Sequence, residues 1–305
     1  MKETVIIIGG PTASGKTALS IELAKSINGE IISADSMQIY REMNIGTAKP
    51  DEEEKQNIPH YMMDFLSPNE RYSVADYKKD AKKAIKEILQ KGKTPIIVGG
   101  TGLYIDSIIY EIEFPNIETD LNYRKELEEI VEKEGLCVLY EKAKQIDPKA
   151  MEKISQNDQK RILRVLEIYH QTGKTKTELD VESKKVPEYN YKMFAINMDR
   201  DILYERINKR VDLMIQKGLI EEVKSIYEKY NEFPTSMQAL GYKEVVEYLE
   251  GKVTKEEMID KIKMESRRYA KRQLTWFRKN KETVWLDGQN AVDNNISIIL
   301  EEINK

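Results

Sequence analysis

In the first hundred residues the apolar positions fall into short unbroken runs. TVIII (residues 4–8), EIISAD (30–35) and TPIIVGGTGLYI (94–105) open on β-branched stretches, the pattern of parallel strands buried on both faces. Between them the period lengthens. Leu19, Leu23 and Ile27 share one face of a helix predicted from Lys16 to about Ile27. SVADYKKDAKKAIKEILQKGK (73–93) is an amphipathic helix that Ser73 caps. This rhythm predicts an α/β fold, a doubly wound parallel sheet with helices on both faces. Functional residues of such a sheet gather at the carboxyl ends of its strands, where residues 12–17, 35–38 and 99–102 fall.

From 115 to 187 the strands vanish and charged helical segments replace them: TDLNYRKELEEIVEKEG, LYEKAKQID and NDQKRILRVLEIYHQTG. Pro115 and Pro187 make natural hinges. Residues 1–115 and 187–305 are therefore expected to form one core, with 116–186 an all-helical insertion. A strand returns at KMFAINM, helices dominate to Asn280, and a short strand TVWL precedes a terminal helix.

Composition narrows the classes. The 305 residues are 40% apolar and 33% charged, as in a soluble globular protein. The single cysteine, Cys137, excludes an intramolecular disulfide and a cysteine zinc cluster, and is expected in the core. His60 and His170 lack metal-site spacing and read as structural. The apolar run of residues 5–8 is too short for a signal peptide or membrane span, so a cytoplasmic protein is expected, with a monomer as the default. A net charge of −4 argues weakly against nucleic acid. Residues 261–281, however, carry Lys261, Lys263, Arg267, Arg268, Lys271, Arg272, Arg278, Lys279 and Lys281 against Glu265 alone, a local face that attracts phosphates.

Gly10, Pro11, Thr12, Ala13, Ser14, Gly15, Lys16 and Thr17 have the spacing of a phosphate-binding loop between a strand and a helix. Backbone amides and the helix N-terminus stabilise anionic oxygens, Lys16 adds a point charge, and the Thr17 hydroxyl is suited to Mg2+. This makes the sheet P-loop NTPase-like. The motif marks a di- or triphosphate without saying what is attached to it; the bland reading is a glycine-rich turn.

Three further stretches stay open on residues alone. In DSMQIY, Asp35 suits a second magnesium ligand or a helix cap, while Asp35, Ser36 and Gln38 together suit the edge of a base. In GGTGLY, Thr101 is either presented at the sheet end or caps a tight strand-to-helix turn. In the insertion, Ile162, Val165, Leu166 and Tyr169 form a buried stripe, with Lys160 and Arg164 on another, solvated face. ESRRYAKRQLTWFRKN mixes cations with Tyr269, Trp276 and Phe277, which fits either phosphate contacts flanked by aromatics or a helix packed by its aromatics.

Taken together, GPTASGKT, ISADSMQIYREMNIGTAKP, IPHYMMD, PIIVGGTGLYI, NDQKRILRVLE, RVDLMIQKGLIEEV, ALGYKE and YAKRQLTWFR resemble the tRNA dimethylallyltransferase family, in the family's order and over nearly the whole chain. The resemblance implies transfer of a dimethylallyl group from dimethylallyl diphosphate to the exocyclic amine of the adenosine just 3′ of the anticodon, in tRNAs that read codons beginning with U. It implies that the phosphate loop holds the prenyl diphosphate, with Mg2+ near Thr17, and that Arg206 and Arg210 assist. Asp35 would be the general base, with Lys16 and Thr101 completing the catalytic candidates. Ser36, Met37, Gln38, Thr101, Arg124, Gln159, Lys160, Arg161, Ile162 and Leu163 would contact the tRNA anticodon stem-loop. A P-loop kinase and a prenyltransferase acting on free adenine nucleotides are two competing readings, and both leave the insertion and the basic segment without a task; a third is an RNA-binding module whose loop uses a nucleotide as a switch, with Asp35 only a cap or metal ligand.

Overall fold

The computed structural model describes residues 2–114, 120–183 and 185–304, so the expected boundary at Pro115 lies outside the described residues. Six strands, β1 (Thr4–Gly9), β2 (Gly29–Ala34), β3 (His60–Tyr61), β4 (Thr94–Gly99), β5 (Asn190–Asn197) and β6 (Val284–Asp287), form one sheet in the order β3-β2-β4-β1-β5-β6. Every pairing is parallel, with Ile6 opposite Ile96 and Ile8 opposite Phe194. The unbroken apolar runs follow from this. Val5, Ile6, Ile7 and Ile8 are fully buried because both faces of the sheet are covered. Helix Lys16–Ser26 and the terminal helix Val292–Ile303 supply Leu19, Leu23 and Ile299 to a core with Ile6, Ile8 and Ile196. Ser73 caps helix Val74–Gln90 in a capping box with Asp76.

Strand order sets the position of the crevice. From β1 the chain moves to β2, past β4; from β4 it next enters the sheet at β5, past β1. Adjacent strands whose continuations run to opposite sides leave an opening between the loops at their carboxyl ends.

The chain divides into two compact units, residues 1–109 with 188–305, and residues 110–187. The second is helical. Helices Leu121–Glu134, Leu136–Ile146 and Gln159–Thr172 pack around Leu127, Leu139, Ala143, Ile162, Val165 and Leu166. Buried Asp147 joins the short helix Pro148–Met151 to helix Lys176–Glu182 by accepting from Thr177 N at 2.8 Å and Thr177 Oγ1 at 2.6 Å.

Three local expectations are corrected. The third run ends as a strand at Gly99, and GLYIDSII is a helix (Gly102–Ile109), because Leu103 apart it buries a continuous helical face. Cys137 is exposed, one position off the Leu139–Ala143 face that packs inward. Tyr169 leaves the stripe of Ile162, Val165 and Leu166 and is 42% exposed, in the last turn of its helix. The two-residue strand β3, at the sheet edge beside β2, is too short to carry a periodic signal.

Candidate active site

The loop after β1 turns into helix Lys16–Ser26 through Gly15, whose φ of 94° lies in the left-handed region open to glycine. No side chain caps that helix, so its first amides stay open to an anion. Ser14 Oγ is buried in the loop without a hydrogen-bond partner. Lys16 is only partly exposed, and its Nζ turns onto the Pro11 carbonyl at 2.7 Å. Burial, and then the neighbouring Arg210 guanidinium, push the Lys16 ammonium down to about 7, with Asp35 pulling the other way. Burial likewise lowers Arg210. Two cations held together with little counter-charge are costly unless a polyanion joins them.

A cavity of about 360 Å3 opens beside this loop. Thr12, Lys16 and Thr17 from the phosphate loop, Asp35 to Gln38 from the end of β2, and Gly99 and Gly100 from the end of β4 all line it. Arg210, Tyr269, Arg272 and Gln273 enter from helices Arg200–Gln216 and Lys255–Phe277. One wall is apolar, with Met37, Met63, Val211, Met214, Leu240 and Ile262. A charged end and an apolar wall together suit an amphipathic phosphate ester.

Asp35 ends β2 in a tight turn rather than at a helix, its Oδ1 accepting from Met37 N at 2.9 Å. Ser36 N donates to Thr101 Oγ1 at 3.1 Å, which ties this turn to the loop after β4. Thr101 itself begins helix Gly102–Ile109, its carbonyl accepting from Tyr104 N and Ile105 N. Ser33 Oγ donates to Gln38 Oε1 at 3.1 Å and Gln38 Nε2 donates to Thr47 O at 3.3 Å, which fixes the Gln38 amide. Burial pushes the Tyr269 phenol, beside Thr101, up to about 12.

The long helix Lys255–Phe277 divides its aromatics, with Tyr269 lining the cavity and Trp276 and Phe277 packed inward. Phe277 is fully buried, and Trp276 Nε1 donates to Asp106 Oδ2 at 2.9 Å with its indole packed against Gly102. Both aromatics brace the core. Gln273 bridges the crevice: its Oε1 accepts from Thr12 N at 2.9 Å and its Nε2 donates to Gly100 O at 3.1 Å. A side chain on Gly100 would collide with that amide. Gln273 went unassigned on sequence, though a signal existed. Ser266 and Gln273 sit on the helix's buried stripe with Ile262, Ala270 and Phe277, and a polar residue on a buried stripe needs a partner. The basic residues divide. Lys261, Lys263, Arg267 and Arg268 are engaged by Glu247, Asp212, Asn208 and Glu265 respectively. Lys271 and Arg272 are exposed, with Arg272 over the Tyr269 ring.

The loop after β2 was also missed at residue level. Gly46, Thr47, Ala48 and Pro50 of NIGTAKP line the cavity, and so does His60, whose ring burial holds below the usual imidazole range. Arg206 does not join them. It is exposed on helix Arg200–Gln216, one turn from Arg210, and is not among the cavity residues.

Within the helical unit, Arg124, Gln159, Lys160 and Leu163 converge on a groove of about 590 Å3, with Asp158 capping helix Gln159–Thr172. Arg124 donates to buried Glu167 at 2.9 Å and to Glu128 at 3.2 Å. Arg161 is exposed and pairs with Asp158 at 3.3 Å. The Ile162 and Leu163 side chains, in contrast, are buried in the unit's core. Of the expected ligand-contacting stretch, the Ile162 side chain is thus sealed and the Leu163 side chain reaches only the groove floor.

The fold and cavity define a phosphate-loop α/β protein with two cations and a carboxylate lining one cleft. The model of the IPP transferase family matches residues 38–280, and the chain belongs to that family. It is 52% identical over 287 residues to the tRNA dimethylallyltransferase of Acetivibrio thermocellus, covering 93% of this chain and 92% of that one. The crystal structure of full-length tRNA isopentenylpyrophosphate transferase from Bacillus halodurans has a TM-score of 0.75 and 45% identity, covering 99% of this chain and 96% of that one. A eukaryotic dimethylallyltransferase acting on tRNA has a TM-score of 0.83 and 32% identity, covering 99% and 80%. Among the described residues, no helix is long and apolar enough to cross a membrane.

Proposed function

We propose that this chain transfers a dimethylallyl group from dimethylallyl diphosphate to the exocyclic amine of the adenosine immediately 3′ of the anticodon, in tRNAs reading codons that begin with U. The observation that carries this reading is one cavity lined by the Asp35 carboxylate, the Lys16 and Arg210 cations and an apolar wall. The carbon–oxygen bond of the allylic diphosphate breaks, the new bond to the adenine nitrogen forms, and Asp35 takes the amine proton. Without that base the amine attacks poorly, since its lone pair is delocalised into the ring. Lys16, Arg210 and the open loop amides stabilise the departing diphosphate. The partnerless Ser14 hydroxyl suits a phosphate oxygen. Thr101 positions the Asp35–Ser36 turn through its bond to Ser36 N.

Mg2+ fits this loop in a limited way. Among the described residues no group of three or more acidic, histidine or cysteine side chains gathers to hold a metal. The exposed Thr17 hydroxyl would hold the ion together with diphosphate oxygens and water, the usual habit of Mg2+. When bound it neutralises charge on the leaving group. The helical unit, through Arg124, Gln159, Lys160 and Arg161, is the part that grips the tRNA.

Incubating the protein with dimethylallyl diphosphate or ATP, and with tRNA, AMP or neither, then weighing the products, tests the proposal. A mass gain of one dimethylallyl group on tRNA is expected. Phosphoryl transfer from ATP, or prenylation of AMP in preference to tRNA, would overturn it.

A further inference from the structure

The loop that follows the Asp35–Gln38 turn has no strand or helix of its own, yet its Gly46, Thr47, Ala48 and Pro50 line the cleft. Its shape comes from a different part of the chain. Asn44 N, Ile45 N and Gly46 N all donate to the Glu222 carboxylate, at 2.9, 2.8 and 3.1 Å. Buried Tyr242 donates its hydroxyl to the same carboxylate at 2.6 Å. Its ring packs on Gly46 so closely that no side chain would fit there. A carboxylate offers about four acceptor sites, and these four donors fill them.

Two more anchors flank the clasp. Lys49 Nζ is buried and donates to Tyr40 O at 2.8 Å, Asn44 Oδ1 at 3.0 Å and Asp64 Oδ1 at 2.5 Å. Glu42 accepts from Lys229 Nζ at 2.8 Å and Tyr230 Oη at 2.6 Å. Glu42 and Ala48 both have left-handed φ, 67° and 45°. Non-glycine residues stay in that region only where their surroundings hold them. Helix Leu219–Lys229 thus grips the loop through Glu222 and, at its end, Lys229.

The geometry points to Glu222 as a positioning residue for the acceptor side of the reaction. The clasped loop presents the Thr47 carbonyl to Gln38 Nε2, and Ser33 holds the other end of that amide. Gln38 lines the cleft and keeps one N–H and one acceptor position beyond these two bonds, a pair that matches the edge of an adenine. The diphosphate end of the same cavity is built by another segment. The phosphate loop follows β1, two strands from β2, and is braced by Gln273 instead. Glu222 therefore acts on how the target base is held and not on how the diphosphate binds. This inference rests on the reading of the cleft as a tRNA prenylation site.

The test compares wild type with Glu222→Gln and Tyr242→Phe in the full chain. An amide cannot accept from all three backbone N–H groups, so Glu222→Gln should speed hydrogen exchange at residues 44–46 by about tenfold or more while the sheet keeps its protection. With tRNA, kcat/KM should fall about 10–100-fold, as for a misplaced reacting partner, and the Kd for dimethylallyl diphosphate should not move. Tyr242→Phe, which removes one donor of four, should shift both readouts in the same direction by less. A Glu222→Gln protein with unchanged kcat/KM for tRNA would overturn the inference. So would equal losses in diphosphate binding, or faster exchange throughout the sheet. Wild-type protein that transfers no prenyl group to tRNA would instead sink the functional reading, while local exchange at residues 44–46 still reports on the clasp.

Discussion

The cleft of the sheet unit and the groove of the helical unit both carry cations, but they hold them differently. In the cleft, Lys16 and Arg210 lie close together and desolvated, and burial lowers both. In the groove, Arg124 is committed to Glu167 and Glu128, while Lys160 stands in solvent. Two desolvated cations that share the nearby Asp35 carboxylate are poised for an anion; a cation already paired to a buried carboxylate also holds its own fold together. On the proposed function, the cleft would carry the chemistry on a phosphate ester and the groove would make surface contact.

The largest expected effect is at Asp35. Asp35→Asn keeps the shape of the turn but accepts a proton poorly, so single-turnover prenyl transfer should drop about 10²–10⁴-fold with both substrates still binding. A rate within a few-fold of wild type would remove Asp35 from the catalytic list and leave the cleft no better equipped than the groove.

Lys16→Met should lower turnover by about 10²–10³-fold, the scale of one lost donor to a developing anion. The proton balance is more telling. The free ammonium titrates near 7, so above that pH Lys16 is largely neutral before the ligand arrives. A bound diphosphate raises its affinity for a proton, so binding at about pH 8 should take up close to one proton. Affinity should strengthen as pH falls toward 7. Calorimetry in buffers of different ionisation enthalpy measures the uptake, which should vanish in Lys16→Met.

Arg124→Ala sharpens the contrast from the other side. It leaves Glu167 buried with only Arg164, at 3.5 Å, for company. The expected loss is about 1–3 kcal/mol of stability in the helical unit, read by denaturation, with the chemical step on bound tRNA unchanged.

The smallest effects belong to exposed cations. Replacing Lys160 and Arg161 by alanine, or Lys271 and Arg272, should weaken tRNA binding and make its salt dependence shallower by about one unit of slope per lost phosphate contact. Replacing Arg267 should change the slope less than replacing Lys271 or Arg272, because it already donates to Asn208 at 2.6 Å and lies over Tyr204. An equal slope change at Arg267 would mean that half-buried, engaged cations reach phosphate as readily as exposed ones.

The local pattern of the chain was enough for the strands other than β3, the phosphate-loop motif and the helical character of residues 120–183, because buried parallel strands, glycine turns and amphipathic helices each leave a short-range signature in the order of residues. It was also enough to bring Lys16, Asp35 and Thr101 under suspicion, since each ends a predicted strand or its loop. Strand order is invisible to such a pattern, and strand order puts β4 between β1 and β2 and opens the crevice. The same limit hid Gln273, 261 residues from the Thr12 amide it receives, and Glu222, 176 to 178 residues from the amides it clasps. It also left Arg206 and Arg210 looking alike, although only Arg210 lines the cleft. Period and spacing are set by neighbours along the chain; which polar group satisfies which buried amide is decided only when distant segments pack, because burial, not sequence position, makes an unpaired amide costly.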